Sequence, residues 1–206
     1  MTKQVIPRKT VYRLSLYYRS LQRLQANNVE TVSSAALAKA SGVKPTQLRK
    51  DLTYFGQFGT RGLGYSVNEL SAKLMVVLGT THLQPVILVG AGHLGLALLR
   101  YHGFAKEGFE VIAAFDVDLS RRHKRELQIP VLPMAQLGEF VREKKIKMAI
   151  LTVPATVAQE VTNGLVSVGI LAILNFAPII LQVPESVVVN NVDLAIELEN
   201  LSYFIQ

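Results

Sequence analysis

The sequence predicts an α/β fold preceded by a small α+β domain, and three observations carry that prediction. First, an apolar strand, Pro85–Val89, runs straight into Gly90-Ala91-Gly92-His93-Leu94-Gly95. A helical run, Leu96–Tyr101, follows it, and then a second strand, Val111–Phe115, ends at Asp116. Second, the alternation of apolar strand and amphipathic helix continues to the end of the chain, the signature of parallel βα units with helices on both faces. Third, the charge is divided. Residues 1–80 hold 12 Lys/Arg and 3 Asp/Glu, a balance of +9, whereas residues 81–206 hold 10 and 12, a balance of −2. The basic part therefore lacks the glycine-rich turn, and a polyanion is its expected partner.

Taken in order, Pro7 and Thr10 precede a helix expected from Val11 to Ala26, with Val11, Leu14, Tyr18, Leu21 and Leu24 as its core stripe and Arg13, Arg19 and Arg23 on its other faces. Thr31–Ser34 supply N-cap candidates for a short helix, Ala35–Ala40, closed by Gly42. Pro45 fits the first position of a third helix reaching Phe55. Two short helices across a glycine turn form a helix-turn-helix, whose second helix enters a DNA major groove. Its inward stripe is Leu48, Leu52 and Phe55, which leaves Thr46, Gln47, Arg49, Lys50 and Thr53 outward. Arg and Gln read base edges bidentately, while Lys and Thr hold phosphates. A solvated charged face is the plainer reading of Arg49-Lys50.

Gly56–Tyr65 carries four glycines, Phe58, Tyr65 and Arg61. It reads as a hairpin wing that places Arg61 and Gly62 against a minor groove. The alternative is a flexible linker, against which the aromatic density argues. A helix from Val67 to Leu78 ends at Gly79, and the domain boundary is set there.

The strand–Gly-x-Gly-x-x-Gly–helix–strand–Asp pattern is that of a dinucleotide site in a Rossmann-type sheet. Gly90 makes the tight turn, Gly92 admits a pyrophosphate, and Gly95 packs helix on strand. Asp116, 21 residues beyond Gly95, takes the ribose hydroxyls and favours NAD(H) over a 2′-phosphorylated nucleotide. The basic loop with Arg121, Arg122, Lys124 and Arg125 keeps NADP(H) open as the alternative. Further on, Met134–Lys144 is an expected helix, Lys147–Leu151 a strand, Pro154–Val168 a helix, Leu171–Leu174 a strand and Val187–Val189 another. Ligands lie at the carboxyl ends of such strands, which puts Thr152-Val153-Pro154 and Asn175-Phe176-Ala177-Pro178 in the crevice; each is equally readable as a plain connection. The last segment, Asn191–Ile205, is a helix apolar nearly all round, which needs burial on more than one side; a second subunit is the expected partner. The expected domains are therefore 1–80 winged helix-turn-helix, 84–190 Rossmann-type parallel sheet, and 191–206 a C-terminal dimerisation helix.

No cysteine is present, which excludes disulfides, thiolate metal sites and a cysteine nucleophile. The first residues lack a secretory h-region, so a cytoplasmic protein is expected, with neither membrane nor metal as a partner.

With these blocks laid out, the chain resembles the Rex family of redox-sensing transcriptional repressors over essentially its full length. The most specific blocks are Gln47–Gly56, Gly59–Tyr65, Val89–Gly95, Phe115–Asp118, Leu151–Pro154, Leu174–Pro178 and Asn191–Asp193. The resemblance implies a homodimer whose C-terminal helices are exchanged between subunits. It implies binding to palindromic operator DNA when NADH is scarce, with NADH as the releasing effector and NAD⁺ as a weaker competitor. It places Thr46, Gln47, Arg49, Lys50, Arg61 and Gly62 on DNA. It places the nucleotide on Gly90, Ala91, Gly92, His93, Leu94, Gly95, Tyr101, Asp116, Val153, Pro154, Asn175, Ala177 and Pro178. Tyr101 would line the nicotinamide pocket, and Arg19 and Asp193 would form an intersubunit switch. The chain departs from the family at Leu119, where proline is frequent, and in a short, basic loop, Ser120–Gln128.

Two other classes compete. An NAD-dependent dehydrogenase needs a substrate domain and a proton-transfer residue; His82, His93, His102 and His123 are in no catalytic setting, so no enzyme is expected. A CoA-binding module is the third reading, opposed by Asp116 and the basic wing.

Overall fold

The computed structural model describes residues 6–56, 58–59, 63–119 and 127–205, in two compact units, Met1–His82 and Leu83–Gln206. Unit 1 begins with α1 (Arg8–Ala26), followed by β1 (Thr31–Val32), α2 (Ser34–Ala40), α3 (Pro45–Thr53), β2 (Tyr65–Ser66) and α4 (Val67–Leu78). Ser33 and Ser66 cap α2 and α4 through their hydroxyls, each such cap contributing about 1 kcal/mol. Leu14, Tyr17, Leu21, Leu37, Leu48, Leu52, Val67, Leu70 and Leu74 form one core under these helices.

The core stripe of α1 is turned by one residue from the expected one. Thr10, Leu14, Tyr17 and Leu21 point inward, while Val11 lies exposed and Tyr18 only partly buried. The reason sits on α3: Asp51 is buried and draws Thr10, Arg13 and Tyr17 towards it. The helix also starts three residues earlier than expected, because Pro7 accepts the first backbone bonds from Thr10 and Val11. The expected wing shows only its exit: Tyr65–Ser66 pairs antiparallel with Thr31–Val32, joining the end of the segment to the α1–α2 connection. Arg61 and Gly62 lie outside the described residues.

Unit 2 contains β3 (Gln84–Val89), α5 (His93–Leu99), α6 (Gly103–Lys106), β4 (Phe109–Asp116), β5 (Val131–Pro133), α7 (Leu137–Glu143), β6 (Met148–Leu151), α8 (Ala155–Ser167), β7 (Ala172–Asn175), β8 (Val188–Asn191) and α9 (Leu194–Tyr203). Among the described residues the strands form one parallel sheet of order β5-β4-β3-β6-β7-β8. The order reverses direction beside β3, which makes the topological switch point of a doubly wound sheet. One face is packed by Leu137, Val141, Ala158 and Leu165 of α7 and α8, the other by Leu96 and Leu99 of α5 with Phe104 of α6. Met134–Gln136, expected as the start of a helix, is a 3₁₀ turn, and the three-residue β5 ahead of it pairs with the end of β4. The basic loop 121–125 lies outside the described residues.

α9 has no buried residue; Leu198 is 66 % and Phe204 81 % exposed. Asp193 caps it, accepting from the N–H groups of Ala195 and Ile196 at 2.9 and 3.4 Å. No helix among the described residues is long and apolar enough to cross a membrane.

Candidate functional site

The crevice is built on the turn after β3. Gly90 has φ +99°, and a Cβ there would lie 2.7 Å from the Thr152 carbonyl oxygen, so only glycine fits. A Cβ on Gly95 would lie 2.0 Å from the Gly90 carbonyl oxygen; its absence lets α5 sit directly on the turn. Thr152 locks the arrangement by donating its hydroxyl to the carbonyls of Gly90 at 2.7 Å and Val89 at 3.2 Å. Gly92, at the N-cap of α5, has no atom within 4 Å of where its Cβ would stand, so its backbone faces open space. A pyrophosphate needs that approach and the unpaired N–H groups of a helix start.

A cavity of about 580 Å³ opens from this turn, within the usual range of small-ligand pockets. Gly90, Gly92, Asp116, Val153 and Pro154 line it, five of the residues the sequence pointed to. Asp116 also holds the crevice together: its carboxylate accepts from the Ala91 N–H at 2.7 Å and the Asp118 N–H at 2.9 Å. The rest of the wall escaped sequence reasoning. Val157, Glu160, Val161 and Gly164 line the cavity from one face of α8, with Met134 and Phe115 nearby. Their spacing of three, one and three is a helical stripe, a signal that could have been read once Thr152–Pro154 was placed in the crevice. This mix of an open glycine turn, an apolar wall and a carboxylate at the end of β4 fits an adenine dinucleotide.

The other residues from the sequence reading fall outside the cavity wall. Ala91 and Gly95 are buried in the turn, while His93 and Leu94 are exposed on the first turn of α5. Tyr101 is 59 % exposed, its ring edge-on to Phe104 at 5.0 Å between centroids. Ala177 is buried and Pro178 exposed. Asn175 corrects the expectation of a direct ligand contact. It is fully buried, and its amide bonds to Ala177, Ile179 and Asn191, which leaves no surface to offer a nucleotide.

In unit 1, α3 presents Thr46, Arg49, Lys50 and Thr53 as exposed groups. The Arg49 guanidinium donates to the Ser34 hydroxyl on α2 at 3.0 Å, which steadies it between the two helices of the motif. Gln47 differs from the expectation of an outward base reader, because its amide donates to Asp51 at 2.9 Å. Asp51 is 1 % exposed and receives Arg13 through two nitrogens, at 2.5 and 2.7 Å, together with the Tyr17 hydroxyl at 2.7 Å and the Thr10 hydroxyl at 3.3 Å. Burial alone would raise its carboxyl; the bonds from Arg13, Tyr17 and Gln47, with the Arg13 charge, outweigh that and hold it below the ordinary carboxylate range. Burial, and then the bond to Asp51, push the Tyr17 phenol above its ordinary value. Arg13, expected on an outer face of α1, is therefore the clamp between α1 and α3. Beside it, the base of the wing segment is held by Lys73, whose ammonium lies 4.9 Å from the Phe58 ring centroid. Arg19 is exposed on α1 and Asp193 sits at the N-cap of α9.

The molecule thus joins a helix-turn-helix domain with a cationic reading helix to a dinucleotide-type Rossmann domain, the class of ligand-responsive DNA-binding proteins. Comparison narrows the class. Residues 5–53 match the family described as "Putative DNA-binding protein N-terminus", and residues 81–179 match the CoA binding domain family. The redox-sensing transcriptional repressor Rex of Carboxydothermus hydrogenoformans is 46 % identical over 201 residues, 98 % of this chain and 97 % of the relative. That of Pelotomaculum thermopropionicum is 44 % identical over 198 residues, 96 % and 93 % of the two chains. The crystal structure of RSP in complex with beta-NAD⁺ and operator DNA superimposes with a TM-score of 0.88 at 36 % identity, covering 98 % of this chain and 93 % of that one. RSP in complex with beta-NADH gives 0.87 at 34 %, covering 98 % and 95 %. The chain belongs to the Rex family of redox-sensing transcriptional repressors.

Proposed function

We propose that this chain is a repressor that binds a palindromic DNA operator as a homodimer when NADH is scarce and lets go when NADH binds. The observation that carries the reading is the pairing, in one chain, of an exposed cationic α3 with a glycine-turn crevice ending in Asp116. Similarity to RSP, seen both with beta-NADH and with beta-NAD⁺ plus operator DNA, supports the same pair of ligands here. Arg49 and Lys50, with Arg61 and Gly62 of the wing segment, contact DNA; Gly90, Gly92 and Asp116 hold the nucleotide, with Tyr101 and Phe176 near the nicotinamide. NADH is the effector and NAD⁺ the weaker competitor, since an uncharged nicotinamide loses less hydration beside apolar side chains than a cationic one.

The exposed apolar surface of α9 supports a homodimer in which this helix is buried by the partner subunit, with Arg19 and Asp193 meeting across the interface in one of two arrangements. NADH acts by binding the arrangement whose reading helices no longer match the half-site spacing. The protein works in the cytoplasm and catalyses no reaction. Fluorescence anisotropy on a palindromic duplex tests the reading, with NADH, NAD⁺ and NADPH titrated separately. Release by NADH at concentrations where NAD⁺ does little is expected; release by NADPH alone would move specificity to the basic loop, and indifference to all three would refute the reading.

A further inference from the structure

We infer that Asn175 is a positioning residue that couples the nucleotide crevice to the C-terminal helix, through its side-chain bond to Asn191. The inference rests on the sensor reading above and adds the route within unit 2. Asn175 ends β7, where the register sets it between Leu151 on one side and Asn191 on the other. It is fully buried, yet carries a polar amide, which costs about 1–3 kcal/mol unless its bonds are made. They are made in two directions. Towards the crevice, its Oδ1 accepts from the Ala177 N–H at 2.9 Å, and its Nδ2 donates to the carbonyls of Ala177 and Ile179, both at 3.1 Å. These bonds fold residues 176–179 into a fixed loop at the carboxyl end of the sheet. Towards the C-terminus, the same Nδ2 donates to Asn191 Oδ1 at 2.9 Å, and the Asn175 carbonyl accepts from the Val192 N–H at 2.8 Å. Asp193, the next residue, is the N-cap of α9.

The connection runs back to the glycine turn as well. The Phe176 N–H donates to the Leu151 carbonyl at 2.9 Å, and Thr152, the next residue along, donates its hydroxyl to Gly90. Phe176 itself packs against the core that contains Ala91. From Gly90 through Thr152, the 176–179 loop and Asn191 to the cap of α9, each step is a hydrogen bond or a neighbouring residue. A nucleotide that shifts the 176–179 loop must therefore either break the Asn175 amide bonds or carry residues 191–193 with it. An apolar side chain at 175 would fill the same space and leave the loop and the helix start independent.

The test uses Asn191, which is exposed, so that Asn191→Ala removes one acceptor without opening the core. For the full-length wild type, Asn191→Ala and Asn191→Asp, operator affinity is measured with and without saturating NADH. NADH affinity is read from the nicotinamide's own fluorescence, which the chain's lack of tryptophan leaves free of energy transfer from indole. Asn191→Ala is expected to bind operator and NADH within about twofold of wild type, while the NADH-induced loss of operator affinity shrinks at least roughly fivefold. Asn191→Asp keeps an acceptor for Asn175 and is expected to restore most of that loss. A wild type that ignores NADH would refute the sensor reading and this inference together. A responsive wild type matched by an equally responsive Asn191→Ala, or an Asn191→Ala that simply loses NADH binding, would overturn the inference alone.

Discussion

Asp51 in unit 1 and Asn175 in unit 2 perform one task with different chemistry. Each is a buried polar side chain that ties a functional element to its neighbour: Asp51 joins the reading helix α3 to α1, and Asn175 joins the crevice loop to the start of α9. Asp51 does so with a charge matched by Arg13. Such a pair fixes geometry firmly, but each partner is costly without the other. Asn175 uses a neutral amide with both donors and acceptor engaged, which pH does not touch. The difference fits what each must do. A reading helix has to meet DNA as a rigid body, whereas a link between ligand and helix must break and reform at modest energy.

The comparison is broken most directly at Asp51. Asp51→Ala leaves the Arg13 guanidinium without its counter-charge and is expected to destabilise unit 1 by about 3 kcal/mol, read as an earlier denaturant transition of that unit while unit 2 keeps its own. In unit 2 the corresponding lesion is steric: Gly95→Ala drives a Cβ into the Gly90 carbonyl, with an expected loss of about 1–3 kcal/mol and of NADH binding, seen by calorimetry, while operator binding persists. Lys50→Ala sharpens the functional contrast. It should weaken operator binding and lower the slope of log K against log salt by about 0.9, leaving NADH affinity unchanged.

Acid separates the two networks more gently. The Asp51 carboxyl is depressed in the folded state, so its contribution is complete above the ordinary carboxylate value of about 4 and is lost as pH falls through that window towards the depressed one. Unit 1 of the wild type should therefore lose stability below about pH 4, Asp51→Asn should not show that slope, and the Asn175 network should contribute none. The smallest effect belongs to Gln47. With its amide held by Asp51, Gln47→Ala should change operator affinity by less than about 1 kcal/mol, well under the effect of losing a bidentate base contact.

Most of the architecture was legible because it rests on periodic or positional signals. The strand–glycine–helix–strand run to Asp116 and the apolar C-terminal helix were readable from local pattern alone, and the reading helix differed only at its end, Thr53 in place of Phe55. What escaped reading lacks a local signal. Two-residue strands such as Thr31–Val32 and Tyr65–Ser66 are too short to show alternation, and the three-residue β5 hides beside a proline. The Asp51 clamp joins residues 38 positions apart, so Arg13 and Gln47 looked like outward charges when each was committed inward. Asn175 was placed at the crevice correctly by its strand end but given a ligand's role, because sequence shows where a side chain stands and not whom it bonds.

The central claim is that occupancy of the unit 2 crevice governs the unit 1 reading helix. It is tested most directly by operator affinity of Asp116→Ala beside the wild type, each with and without NADH at a concentration that saturates the wild type. The account predicts that both bind operator equally well without nucleotide and that NADH releases only the wild type. An Asp116→Ala protein that NADH still releases as readily as the wild type would contradict it.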